Sequence, residues 1–235
     1  MSETAPSLLA IGAHTGDVEV TMGAVIAAHT RQGGTATICH VTLGEGGHKT
    51  KTPAEYAPQR QREAEASAKI LGADLVVFPY ADLGFAGGPE VVAKLVDLIR
   101  ERKPDVVLCH WPGSWHSGHT QSATCSLQAV ETAPIARIKT AAPPHRVKAV
   151  YCPENWEDPF DFRPALYVDV TEDLPRWEES CRQHELFTGG ASSFRYLDYY
   201  RGAMAAHGAV AGCQYAVAIA RPYEFNPRRV PFLTL

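Results

Sequence analysis

The chain has 235 residues, 45% of them hydrophobic and 20% charged, and a formal net charge of -4. That length and apolar content suit one large domain with a substantial core. The mild negative charge, with no Lys/Arg cluster, gives no electrostatic footprint for nucleic acid or an anionic membrane surface. A polar leader and the lack of an apolar run of about 18 residues predict a cytoplasmic protein without a membrane span, acting on a small neutral or polar molecule.

Residues 8–11 form an apolar run that stops at Gly12-Ala13-His14-Thr15-Gly16-Asp17, which reads as a buried strand opening into a turn. A helix is predicted over 18–30, with Gly33-Gly34 as its stop, then a second strand over 35–43 that empties into the glycine-rich loop 44–48. The stretch 54–71 reads as a helix closed by Gly72, followed by a third strand over 74–78. A helix over 90–103 is stopped by Pro104, and a fourth strand runs over 105–110. Strand and helix alternate four times, the pattern of βαβ units with a parallel sheet and right-handed crossovers.

The fourth strand opens into Trp111-Pro112-Gly113-Ser114-Trp115-His116-Ser117-Gly118-His119, before a helix over 120–130, an irregular connection and a fifth strand over 146–152. Beyond it lie a polar, aromatic loop (153–164), a strand (166–170), helices over 174–187 and 194–207, a strand over 215–220 and a tail from 222. The whole chain, 1–235, is therefore predicted to be a single α/β domain. Its core, 7–152, is a Rossmann-like parallel sheet with helices on both faces, and 153–235 add an α+β segment. The six cysteines show no C-x-x-C pair; Cys39 and Cys109, inside apolar strands, read as buried reduced thiols.

If strand order reverses after the third strand, strands one and four lie side by side and the crevice at their carboxyl ends is the ligand site. His14 and Asp17 open into it from one strand, and His116 and His119 from the other. His14, Asp17 and one histidine of the second pair make a two-nitrogen, one-oxygen set, the donor pattern of a catalytic zinc with an open position. The other histidines lack such a partner at such a place, and His184 reads as part of a solvated helix face. Neither the G-x-G-x-x-G of a dinucleotide site nor the G-x-S-x-G of a serine hydrolase is present in its context.

At these loops the chain resembles the LmbE-like, or PIG-L, family of zinc-dependent N-deacetylases, which act on N-acetylglucosamine-type units; the likeness runs over about residues 7–190. The family's Ala-His-Pro-Asp-Asp appears as Ala13-His14-Thr15-Gly16-Asp17, and its His-Pro-Asp-His as His116-Ser117-Gly118-His119. The resemblance implies His14, Asp17 and His119 as ligands of one Zn2+ per chain, with His116 stabilising the oxyanion or protonating the leaving amine. It also implies Glu45, Arg62 and Asp82 as substrate contacts, and a homo-oligomer. Gly16 stands where the family has its general base, so Glu19 and Glu45 are the nearest candidates to replace it; Gly118 stands where the family has the aspartate beside the last histidine. The implied function is hydrolytic removal of an acyl group, acetyl above all, from an N-acylated amino sugar or its conjugate. The alternatives are a catalytically impaired metal- and sugar-binding or regulatory protein, or a zinc hydrolase of a different amide or ester.

Overall fold

A computed structural model describes residues 5–222. In chain order the elements are β1 (Leu8–Gly12), α1 (Asp17–Thr21), α2 (Gly23–Arg31), β2 (Ala36–Thr42), α3 (Pro53–Leu71), β3 (Asp74–Tyr80), α4 (Pro89–Arg102) and β4 (Val106–Leu108). They continue with α5 (Ser117–Thr132), β5 (Ala149–Pro153), β6 (Leu166–Asp169), α6 (Leu174–Cys181), α7 (Tyr196–Ala211) and β7 (Ala216–Ala220).

One seven-stranded sheet runs through the molecule in the order β3-β2-β1-β4-β5-β7-β6. The first five strands of that order pair in parallel, with Leu8 opposite both Ala36 and Val106, whereas β7 is antiparallel to β5 and to β6. β1 and β4 are neighbours, and the order reverses between them. This places the loops after β1 and β4 at one crevice, as the sequence predicts.

The apolar run of β1 is buried on both faces because helices cover both. Leu9 and Ile11 pack with Leu95 and Ile99 of α4 and with Ala129 of α5. Leu8 and Ala10, on the opposite face, pack with Met22, Ile26 and Leu71. α3 starts where its sequence says: Thr52 and Glu55 form a capping box, Pro53 takes the first turn, and Gly72 ends the helix at φ 69°. A third cluster joins the C-terminal segment to the first loop's helix, with Val20 among Trp177, Phe187, Tyr200, Met204 and Ile219.

Several boundaries differ from the sequence reading. The helix predicted over 18–30 is two, broken at Met22 (φ -113°), and Gly23 follows where a Cβ would stand 3.3 Å from the Trp177 ring. The tight approach of Trp177 is the packing reason for that glycine. The helix predicted over 174–187 stops at Cys181 and is followed by a separate 3-10 turn, Glu185–Phe187. The fifth strand starts at Ala149, and the helix expected over 194–207 runs over Tyr196–Ala211. Cys39 and Cys109 are buried free thiols, as expected. Nearly all of the expected tail lies outside the described residues. No helix among the described residues is long and apolar enough to cross a membrane.

Trp177 is fully buried and its Nε1 donates to the Val20 carbonyl at 3.2 Å. Trp177→Ala is expected to cost about 3–5 kcal/mol, read as a lower midpoint in urea unfolding with little change in slope.

Candidate metal centre and catalytic cleft

The turn after β1 is built around one carboxylate oxygen. Asp17 Oδ2 accepts the His14 backbone N–H at 2.8 Å and lies 3.1 Å from His14 Nδ1, 3.2 Å from His110 Nε2 and 3.3 Å from His119 Nε2. His119 is the third residue of α5, so the helix that follows β4 delivers it to the turn that follows β1. Donor atoms of His14, Asp17 and His119 all lie within 4.8 Å of one another. Each of the two imidazoles also turns its other nitrogen to a second carboxylate. His14 Nε2 is 3.1 Å from Asp82 Oδ1, and His119 Nδ1 is 3.2 Å from Glu157 Oε2. Ligating histidines are held in this way, and the donor set suits a divalent metal with an open position.

Electrostatics follow from this crowding. Burial pushes the Asp17 carboxyl up, but His119, His14 and His110 outweigh it and hold the group well below the ordinary range. For His14, burial acts against the charge, yet Asp17 and Asp82 raise the imidazole to about 10 in the protein alone. His116 goes the other way: burial and the neighbouring His119 and His14 lower it to about 4, so it is neutral. Its ring is 4.2 Å from that of His119 and 5.2 Å from that of His14, and its buried Nδ1 has no partner.

Of the residues singled out from sequence, His14, Asp17, Asp82, His116 and His119 line one cleft. Glu45 stands behind it, where its Oε1 accepts the Asp82 backbone N–H at 2.9 Å and so holds the Asp82 loop. Glu19 is not on the cleft. It is fully buried beneath the turn, with Oε2 accepting the Gly16 N–H at 2.8 Å and Oε1 3.1 Å from His40 Nε2. Three residues on from Gly16, it closes the first turn of α1 from below, which removes it as a replacement base. Arg62 is exposed on the outer side of α3, and it is Arg60 that reaches the cleft. His184 is wholly buried rather than solvated, 3.4 Å from Arg60 Nη1.

Tyr56, which the sequence offers as an aromatic able to stack on a sugar or to cover the core edge, also lines the cleft, and Arg60, Glu157 and Tyr196 add to its walls and escaped the sequence reading. The signal for Arg60 was present: Tyr56, Arg60, Ala64 and Ser67 form the buried stripe of α3, at helical spacing from the capping box. Glu157 lies in a loop and carries no such periodicity. Arg60 is the only Lys or Arg among the described residues of the cleft wall, and the chain uses its donors. Nε gives to the Leu43 carbonyl at 3.2 Å, Nη1 to Glu63 at 2.9 Å, and Nη2 to the Thr15 carbonyl.

Both motif glycines stand where a Cβ would be tightly packed. Gly16 has φ 97°, and a Cβ there would lie 3.0 Å from Phe187 Cζ. A Cβ on Gly118 would lie 3.0 Å from His14 Nε2 and Cε1. No carboxylate fits at either position without a shift of the walls.

Proteins named for two activities are among the relatives of the chain. It is 29% identical over 187 residues to the 4-oxalmesaconate hydratase of Pseudomonas putida, across 73% of this chain and 70% of that protein. It is 30% identical over 181 residues to the 1D-myo-inositol 2-acetamido-2-deoxy-alpha-D-glucopyranoside deacetylase of Rhodococcus erythropolis, covering 64% of this chain and 62% of the relative. Among solved structures, the 4-carboxy-2-hydroxymuconate hydratase of Pseudomonas putida superposes with a TM-score of 0.84 at 22% identity, over 97% of this chain and 100% of that one. The N,N'-diacetylchitobiose deacetylase of Pyrococcus horikoshii does so with 0.78 at 20% identity, over 93% and 85%. These structural likenesses share the α/β fold described above. Residues 9–130, more than half of the chain, match the GlcNAc-PI de-N-acetylase (PIG-L) profile, and with the cleft at the ends of β1 and β4 the chain belongs to the PIG-L, or LmbE-like, family of enzymes.

Proposed function

We propose that the chain is a zinc-dependent N-deacylase of an N-acylated amino sugar or its conjugate, with one Zn2+ held by His14, Asp17 and His119. The observation that carries this reading is the charge of the cleft. Asp17, Asp82 and Glu157 line it against the single Arg60, which gives one N–H each to Leu43, Glu63 and Thr15. A neutral amide substrate, released as an ammonium product, suits that wall; a polyanion does not.

A zinc ion held by His14, Asp17 and His119 would supply Lewis acidity towards an acyl carbonyl and would lower the pKa of water towards about 7. The residues of the chain do the rest. Neutral His116 presents one N–H to the acyl oxygen as negative charge develops. With glycine at position 16 and Glu19 beneath the turn, the cleft offers Asp82 and Glu157 as proton acceptors. Asp82 faces His14 and Glu157 faces His119, and of these two similarly placed carboxylates we assign the base to Asp82. Burial raises the Asp82 carboxyl, but His14 more than offsets this and keeps it below its ordinary value. A base so acidic takes a proton reluctantly, so turnover is expected to be slow.

Hydration of an unsaturated acid is the second reading, favoured by the hydratase relative that matches 73% of the chain. It requires cations to hold substrate carboxylates, and the one cleft arginine is already engaged. The test is a direct comparison on zinc-loaded protein: release of free amine from N-acetylglucosamine conjugates against loss of ultraviolet absorbance from unsaturated di- and tricarboxylic acids. Chelator-sensitive amine release is expected; hydration without amine release would establish the second reading.

Zinc content near one per chain is expected by elemental analysis of the wild type, and its loss from the His14→Ala, His119→Ala double variant. Asp82→Asn is expected to keep its zinc while the rate of amine release falls by about 10²–10⁴-fold, measured at saturating substrate. An unchanged rate would remove Asp82 as the base.

A further inference from the structure

The loop after β5 contributes a selection device for His119 that neither the motifs nor the relatives identify. Asn155 and Glu157 both face the same ring nitrogen: Asn155 Nδ2 is 3.4 Å and Glu157 Oε2 3.2 Å from His119 Nδ1. The orientation of the Asn155 amide is fixed independently, because its Oδ1 accepts the Tyr200 hydroxyl at 2.7 Å and the Glu157 backbone N–H at 3.2 Å. The amide therefore turns its N–H2 side to His119. A neutral imidazole has one donor and one acceptor nitrogen. Nδ1 can accept from Asn155 or donate to Glu157, but not both.

We propose that Asn155 and Glu157 select between the two tautomers of His119 and thereby couple the metal centre to the C-terminal segment. The coupling rests on the reading of His119 as a zinc ligand. In the metal-free tautomer the proton is on Nε2 and is given to Asp17 Oδ2, 3.3 Å away, while Nδ1 accepts from Asn155. In the ligating tautomer the proton is on Nδ1 and is given to Glu157, which leaves the Nε2 lone pair for the metal. One proton leaves Nε2 and one is taken up at Nδ1, so the histidine's charge does not change. Glu157 also ties the neighbouring loop in place, since its carbonyl accepts from Trp115 N at 3.0 Å and Ser114 Oγ at 3.0 Å. The segment after β5 is in this way part of the metal site, although none of its residues is in the proposed ligand set.

The test is nitrogen-15 NMR of His119 in metal-free and zinc-loaded protein, beside zinc affinities by calorimetric titration for the wild type, Glu157→Gln and Glu157→Leu. The proton is expected on Nε2 without zinc and on Nδ1 with it. Glu157→Leu is expected to bind zinc about 10–100-fold more weakly. Glu157→Gln, whose amide oxygen still accepts from Nδ1 but without charge, is expected to lose only severalfold. Circular dichroism checks folding, and the isosteric Glu157→Gln carries the test if the leucine variant does not fold. A folded variant that binds zinc as tightly as the wild type, or a zinc-loaded His119 protonated on Nε2, would overturn the proposal. A wild type that takes up no zinc would instead remove the metal reading itself, and the coupling with it.

Discussion

The site depends on a single oxygen, Oδ2 of Asp17, which accepts the His14 N–H and has three imidazole nitrogens within 3.3 Å. Those contacts come from the turn after β1, from the residues just past β4 and from the first turn of α5. Only a sheet whose order reverses between β1 and β4 brings them to one place. Asp17 is also the first residue of α1, so the carboxylate that gathers the histidines sits at the positive end of a helix as well. Its position is thus fixed by backbone geometry before any metal is considered.

Beneath the turn lies a buried polar layer that holds it from the opposite side. Glu19 takes the Gly16 N–H and faces His40, Arg60 takes the Thr15 and Leu43 carbonyls, and Glu63 pairs with Arg60. Such a layer is costly to desolvate and is justified only if its members satisfy one another. Glu19 illustrates the balance: burial raises its pKa, but His40 and His184 bring it down to about 2, so it stays charged and keeps its grip on Gly16. The acidic residue in the first turn of α1 is a structural strut, and the same residue in a sequence motif looks like chemistry.

What was legible in the sequence was whatever a period or a strand end encodes. The two-faced apolar run at 8–11, the capping box of α3 and the stop after α4 each follow from local pattern, and together they yield the parallel core. His14, Asp17, His116 and His119 were legible because they sit at strand ends that the topology makes neighbours, and Asp82 through the family resemblance alone. Contacts made across long sequence separations were not. Glu157 meets His119 from a loop with no repeating signal, and His110 and His40 look like ordinary strand residues until the sheet is assembled. The misplacement of Arg62 has a simpler cause. The helical phase of α3 puts position 60 inward and position 62 outward, a distinction that adjacency along the chain hides but a 3.6-residue period makes.

The two glycines gain their meaning from the walls around them. Had Gly16 been a simple deletion of a catalytic carboxylate, the space beside it would be open; instead Phe187 stands 3.0 Å from where its Cβ would be, and the backbone is in a region that suits glycine. Gly118 likewise lets the His14 ring approach so closely that a Cβ there would require the ring to give way by a few tenths of an ångström. The space beside Gly16 is taken by Phe187, supplied by the same C-terminal segment that supplies Glu157. Two positive charges from a dication, together with Arg60, would face three carboxylates in this cleft and bring it near neutrality, which suits a neutral substrate better than a polyanion. That balance, rather than the motif alone, ties the altered turn to amide hydrolysis and sets it against the hydration of a carboxylate-rich molecule.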